Sequence, residues 1–235
     1  MEYPWKGKPK TPSTRIVDCL AHAPSILQRV HLLFSLDQTE RVDLCYALIF
    51  ECWHVDEKLD GIFNEMQQAM PDPLYWPVRS RPDPLSKTAS LMNLFPVVFH
   101  FANLETANSL ILLWATRVML WSGLCNLYGV VNLCRQIFDH TTTPVLPFVS
   151  GVVNSLPSLE HRRDYVSMVH HVCQSVEYIL EDETLLAGPL SITPALGIVL
   201  DSLRGQRHCA SEAAWLRAAI GTARQRGLGL LKYAR

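Results

Sequence analysis

The sequence predicts an all-α fold, a multi-helix globular array of amphipathic and buried helices. Three observations carry this. Between residues 40 and 68 the apolar positions Leu44, Leu48, Cys52, Val55, Leu59, Ile62 and Met66 are separated by steps of 4, 4, 3, 4, 3 and 4, a stripe that only a helix brings to one face. From Ser109 to Cys134 the chain is mostly apolar and contains one charge, Arg117, as expected of a helix buried on most sides. No alternating apolar run is long enough to argue a sheet. With 235 residues, 49% hydrophobic and 18% charged, the chain is too apolar for disorder and long enough for one sizeable core.

Residues 1–14 read as a basic flexible tail and 15–235 as a single domain. In chain order, residues 15–36 show helical spacing interrupted by Pro24, so two helices or one kinked helix are expected. Residues 40–68 form the long amphipathic helix, with Thr39 as a plausible N-cap. Pro71, Pro73, Pro77, Pro82 and Pro84 then place an extended connector at 71–86. Ser86 or Ser90 caps the segment after it, and Asn103 or Glu105 begins a long apolar helix reaching about residue 138. Residues 141–147 form another connector. The C-terminal third predicts a helix from Arg162 to Glu183, with Val166, Val169, Cys173, Val176 and Leu180 on one face. Its terminal Glu181, Asp182 and Glu183 oppose the helix dipole, so that turn frays or the helix stops earlier. A short buried helix spans Leu190 to Arg204 with Pro194 in its first turn, and Glu212 to Gln225 completes the set.

Charge and motifs narrow the function. The net charge is −1, without the basic excess of a phosphate-binding protein. It divides unevenly: +3 over residues 1–15, +5 over 200–235 and −9 between them. The basic ends read as solvated rather than as anion-seeking tails. Seven cysteines, Cys19, Cys45, Cys52, Cys125, Cys134, Cys173 and Cys209, lie mostly in apolar stretches without a CxxC pair. They read as reduced core thiols, with neither a disulfide framework nor a zinc site. Residues 110–134 are long enough to cross a bilayer; Arg117, Asn126 and Asn132, without flanking cations, favour a buried core helix instead.

No catalytic, cofactor or metal residues emerge. Asp56, Glu57 and Asp60, and the Glu181–Glu183 triplet, lack a partner motif and read as solvated helix faces. His161, His170 and His171 form no HExxH or i, i+4 pair and read as surface or satisfied core histidines. The glycines from Gly221 to Gly229 have no phosphate-loop spacing, and GxSxG is absent.

The run from Cys173 to Arg204, with Cys173, Ser175, Val176, Glu177, Tyr178, Gly188 and Pro189, resembles the C-terminal part of the fungal-specific regulatory domain of zinc-cluster transcription factors. Trp215, Gly227 and Leu228 further on, and DPLYWP (72–77) and the segment 95–120 upstream, extend the resemblance over about residues 40–235. It implies an all-α, non-enzymatic regulatory domain, nuclear or alternatively cytoplasmic, belonging to a secondary-metabolite gene cluster. Such factors begin with six cysteines holding two zinc ions, whereas WKGKPK (5–10) has no metal ligand or recognition helix. The expectation is therefore action through a protein partner, a transcription factor or co-regulator, without sequence-specific DNA binding, membrane or cofactor. Candidate contact surfaces are Tyr75 with Trp76, and the basic Arg224, Arg226 and Lys232. The alternative is an all-α small-molecule-binding protein or enzyme, motivated by Trp53, Trp114 and Trp121.

Overall fold

The computed structural model describes residues 9–80, 94–140, 156–181 and 187–228. It is an all-α globular array with one small sheet. Helix α1 (Pro12–Leu20) opens on Thr11, whose hydroxyl oxygen accepts the Thr14 N–H at 3.3 Å, with Pro12 at the tolerated first position. Pro12–Thr14, read from sequence as tail, are thus helical, and the hydroxyl of Ser109 donates to that of Ser13. Pro24 lies in the first turn of α2 (Ala23–Leu32), so the chain makes two helices rather than one with a kink.

Helix α3 (Gln38–Ala69) is capped by Asp37, not Thr39: the Asp37 carboxylate accepts the Glu40 N–H at 2.9 Å. The predicted stripe is buried except for Leu44, which packs at its edge, and Val42, Cys45 and Ile49 add a second buried face. That width comes from burial on two sides: one of α3's faces meets the long helix beginning at Leu104, and α1 and α2 cover another. Ion pairs Arg15–Glu65 and Arg29–Glu51 tie α1 and α2 to α3 at their rims.

The sequence predicted no sheet, but an antiparallel pair forms. Strand β1 (Tyr75–Arg79), inside the proline-rich connector, pairs with β2 (Val97–Phe101), with Tyr75 opposite Phe101 and Pro77 opposite Phe99. Pro77 is accommodated because both strands of a two-stranded sheet are edges. The rest of the connector from 81 onward, and the proposed caps Ser86 and Ser90, lie outside the described residues, as does the connector at 141–147.

Helix α4 (Leu104–His140) is the axis of the molecule. The Asn103 side chain accepts the Thr106 N–H at 2.8 Å and caps it. Beyond it come α5 (Tyr165–Gln174), the single turn α6 (Val176–Ile179), α7 (Ala187–Ser202) and α8 (Ala210–Leu228), with 3-10 turns at Glu160–Arg163 and Arg207–Cys209. Helices α1, α3, α5 and α7 and strand β2 all pack against α4, and α8 packs on α7. This surround explains the continuous apolar run: α4 is long and apolar enough to span a membrane, yet 67% of its most apolar window is buried by the protein's own helices.

Two helix predictions are corrected. The expected helix from Arg162 to Glu183 is divided: Arg162 lies in a 3-10 turn, and α5 and α6 part at Ser175, whose buried hydroxyl donates to the His171 carbonyl at 2.7 Å. The helix stops before Glu181, while Asp182 and Glu183 lie outside the described residues. Helix α7 starts at Ala187, which puts Pro189 in the first turn and Pro194 in the interior. Pro194 deprives the Leu190 carbonyl of its amide partner, and Leu190 is itself half exposed. Gly205, with φ +81°, supplies the left-handed residue that reverses the chain after α7.

Candidate functional site

Three constellations invite a functional reading. The first surrounds Asp56 on α3, fully buried at 0% exposure. Its carboxylate accepts the Arg162 Nε–H at 2.5 Å and the Trp121 indole N–H at 3.1 Å, with Arg117 Nε at 3.3 Å. Asp60, one turn on, pairs with Arg117 and stands 3.6 Å from Arg162. The Arg162 guanidinium lies 4.2 Å from the Trp53 ring centre, and the Trp53 N–H donates to Tyr128, whose hydroxyl donates to the Pro157 carbonyl at 2.6 Å. The reading of Asp56 as part of a solvated face is therefore corrected. The i, i+4 spacing does bring Asp56 and Asp60 together, but onto two arginines. Two carboxylates and two guanidiniums cancel, which is how a core accommodates buried charge. Glu57 is exposed. Arg162 enters this cluster from a turn whose first residue, Glu160, has φ 45°, a conformation uncommon for a side chain with a Cβ.

A second constellation lies beneath the sheet. Tyr75 meets Trp114 edge-on at 5.2 Å and Phe99 at 4.9 Å, and the His171 ring lies 5.1 Å from Trp114 and 5.4 Å from Phe99. Burial, then neighbouring His170, lowers the His171 pKa below 6.5, and its Nδ1 has no partner among the described residues. Next to it, His170 Nε2 stands 3.3 Å from Glu212. Burial acts to raise the Glu212 pKa, but hydrogen bonds from its own backbone N–H, Ser211 and His170 outweigh it and hold the carboxyl below its ordinary value. His161 stacks edge-on to Trp121 at 5.4 Å. Among the described residues, no group of three His, Cys, Asp or Glu is placed to hold a metal ion.

The seven cysteines are free, all buried but Cys125. Burial pushes Cys45 up to about 11 and Cys52 up to about 12, and holds Cys173 well above the ordinary thiol value, so these are inert packing groups.

The third constellation is concave and apolar. A groove of about 1010 Å³ runs between α2, the second half of α4 and the end of α7, lined by Ile26, Leu27, Val30, Leu127, Val130 and Ile198 among others. Its rim holds large apolar side chains in solvent: Phe34 is 86% exposed, Leu133 58% and Leu27 49%. At one end the half-buried Arg41 donates from Nε to the Leu33 carbonyl at 2.8 Å and from Nη2 to the Leu36 carbonyl at 2.9 Å, closing the C-terminal end of α2. On the other wall Asp201 and Arg204 pair with each other at 2.8 Å.

Protein-family models, curated proteins and solved structures yield no match to this chain. Most of the residues from Cys173 to Trp215 that carry the resemblance to the fungal regulatory domain have packing roles. Cys173, Ser175, Val176, Gly188 and Pro189 are buried, Tyr178 stacks on Phe101 at 5.2 Å, and Trp215 meets Phe95 edge-on at 5.0 Å. Glu177 accepts a hydrogen bond from the Ser80 hydroxyl at 2.6 Å, holding the end of β1 to α6.

The candidate contact residues separate. Tyr75 belongs to the aromatic cluster, whereas Trp76 beside it on β1 is 41% exposed. Arg224 is exposed; the Arg226 side chain and Lys232 lie outside the described residues. None of Trp53, Trp114 and Trp121 lines the groove. They serve the ion cluster and the aromatic cluster instead. Sequence reasoning missed the groove itself. Its signal is the helical spacing of Ala23, Ile26, Leu27 and Val30, of which Ala23 and Ile26 are buried while Leu27 and Val30 stay partly uncovered.

Proposed function

We infer that the chain is a non-enzymatic regulatory module that acts by binding a protein partner, of the kind found in fungal-specific transcription regulators. The apolar groove between α2, α4 and α7, with Phe34, Leu133 and Leu27 exposed along it, carries this reading. Large apolar side chains held in solvent around a concavity mark a surface that another molecule covers. The buried titratable groups support the same reading: Asp56 is neutralised by arginines, and the cysteines Cys45, Cys52 and Cys173 are held protonated. The resemblance adds the context, a nuclear regulator of a secondary-metabolite gene cluster that works through a transcription factor or co-regulator.

The test is affinity capture from nuclear extract with the tagged chain, combined with transcript profiling of a deletion strain. A captured transcription factor and altered expression of one biosynthetic cluster are expected. Absence of both overturns the reading. The groove's volume also suits the alternative of a small-molecule-binding protein, being at the upper end for ligand pockets. Native mass spectrometry of the purified chain decides it: a retained small molecule of defined mass supports that alternative.

A further inference from the structure

We propose that the groove between α2, α4 and α7 is the seat of one amphipathic helix of a protein partner, about three to four turns long, with an acidic residue at the end that meets Arg41. This rests on the association reading above and specifies its occupant.

The shape argues for a helix. On α2 the lining residues Ala23, Ile26, Leu27 and Val30 fall at i, i+3, i+4 and i+7, and on α4 Gly123, Leu127, Val130 and Cys134 fall at steps of 4, 3 and 4. Two helices thus turn apolar ridges toward one trough, and ridges at these spacings receive a third helix between them. The α4 stretch from Met119 to Cys134 runs about 22 Å and the α2 stretch from Ala23 to Val30 about 11 Å, and the longer wall sets the occupant's length. A small apolar molecule sunk in the trough would leave Phe34, at 86% exposure, in water. An extended strand would find helices here, with no free sheet edge to pair with.

Charge argues for the acid. Arg41 uses two of its N–H groups on the carbonyls of Leu33 and Leu36, and no carboxylate among the described residues forms an ion pair with it. Both protons on Nη1 remain for a ligand. Asp37, also at this end, is committed to the Glu40 N–H at the start of α3. Asp201 and Arg204 neutralise each other. Asp37 faces the positive N-terminal end of α3, so among the charged side chains of the groove the Arg41 guanidinium is the one with no opposite charge beside it among the described residues, and its natural counterpart is a carboxylate.

The experiment uses the full chain and a displayed library of helical peptides of about sixteen residues. Leu, Ile, Val, Phe and Met vary at i, i+3, i+4 and i+7, and Glu, Gln and Lys vary at the flanking turn. Enrichment of Glu is expected, with the Gln version binding about fivefold to tenfold more weakly. Leu133→Glu and Leu27→Glu, both at exposed positions, are expected to weaken the selected peptide by tenfold or more. Four results overturn the proposal: no enrichment over the Leu133→Glu protein, equal selection of Gln or Lys, displacement by oleate of a molecule already bound, or a homodimer that Leu133→Glu dissociates. A partner captured from nuclear extract equally well by Leu133→Glu overturns the groove while leaving the association reading standing.

Discussion

The ion cluster and the apolar groove are built from the same helix and obey opposite rules. Arg117 and Trp121 of α4 face Asp56, while Gly123, Leu127 and Val130, barely two turns on, line the groove. In the cluster, charge is buried and each ion meets its counterpart. In the groove, apolar surface is left in water and Arg41 has no ion-paired carboxylate among the described residues. A satisfied group ties the fold together, whereas an unsatisfied one is available to something else. The contrast predicts that damage to the cluster will appear in stability and damage to the groove in binding.

The largest effect is expected at Asp56. Asp56→Ala leaves Arg117 and Arg162 buried, with only Asp60 to answer both. Removing one partner from a buried ion pair costs about 3–5 kcal/mol, to be measured by urea unfolding. A loss below about 1 kcal/mol would show the cluster to be as dispensable as surface ion pairs are.

Sequence periodicity revealed the helices because burial against neighbours repeats with the helical turn: the stripe of α3 and the apolar run of α4 lie where they were expected. It failed where tertiary partners decide. Asp56 and Asp60 look solvated until Arg117 and Arg162, distant in sequence, are brought to them by the packing of α3, α4 and the turn at Glu160–Arg163. The strands escaped for a related reason. Each is five residues long, one carries Pro77, and the alternation that marks a strand is blurred because Val98 and Phe99 are both buried. The groove was illegible because an apolar stripe reads alike whether its covering helix is present or absent.

A smaller effect is expected from acid. His171 lies against Tyr75, Phe99 and Trp114, and burial, then neighbouring His170, lowers its pKa in the folded state. The unfolded chain therefore binds the proton first, so stability is intact above the ordinary value of 6.5 and declines as pH falls through it toward the folded pKa. Glu212 adds to acid sensitivity only below its ordinary value of 4.5. Melting temperatures between about pH 7.5 and 5.5 isolate the histidine. Replacing His171 with Phe, a ring that fits among rings, should flatten the slope; an unchanged slope assigns it elsewhere.

Within the cluster, Asp60→Asn should cost much less than Asp56→Ala, about 0.5–1 kcal/mol, because the Asp60 side chain is 49% exposed and water replaces what it loses. Equal losses at the two aspartates would mean that burial does not set the energy of this cluster.

The smallest stability effect is expected in the groove. Leu133→Ser and Leu27→Ser remove apolar side chains that are 58% and 49% exposed in the free protein. Little transfer free energy is lost on folding when a side chain stays half in water, so each change should move unfolding by no more than about 0.5 kcal/mol. Val131, two residues before Leu133 and 2% exposed, provides the control, since Val131→Ser takes a hydroxyl into the core and should cost several times more. The same Leu133→Ser protein should lose affinity for a groove-binding helix while retaining its urea midpoint. That dissociation of binding from stability is what separates an uncovered surface from an ordinary edge of the core. If Leu133→Ser instead lowers the midpoint as Val131→Ser does, the groove is covered by the chain itself in solution, and the difference between the two regions disappears.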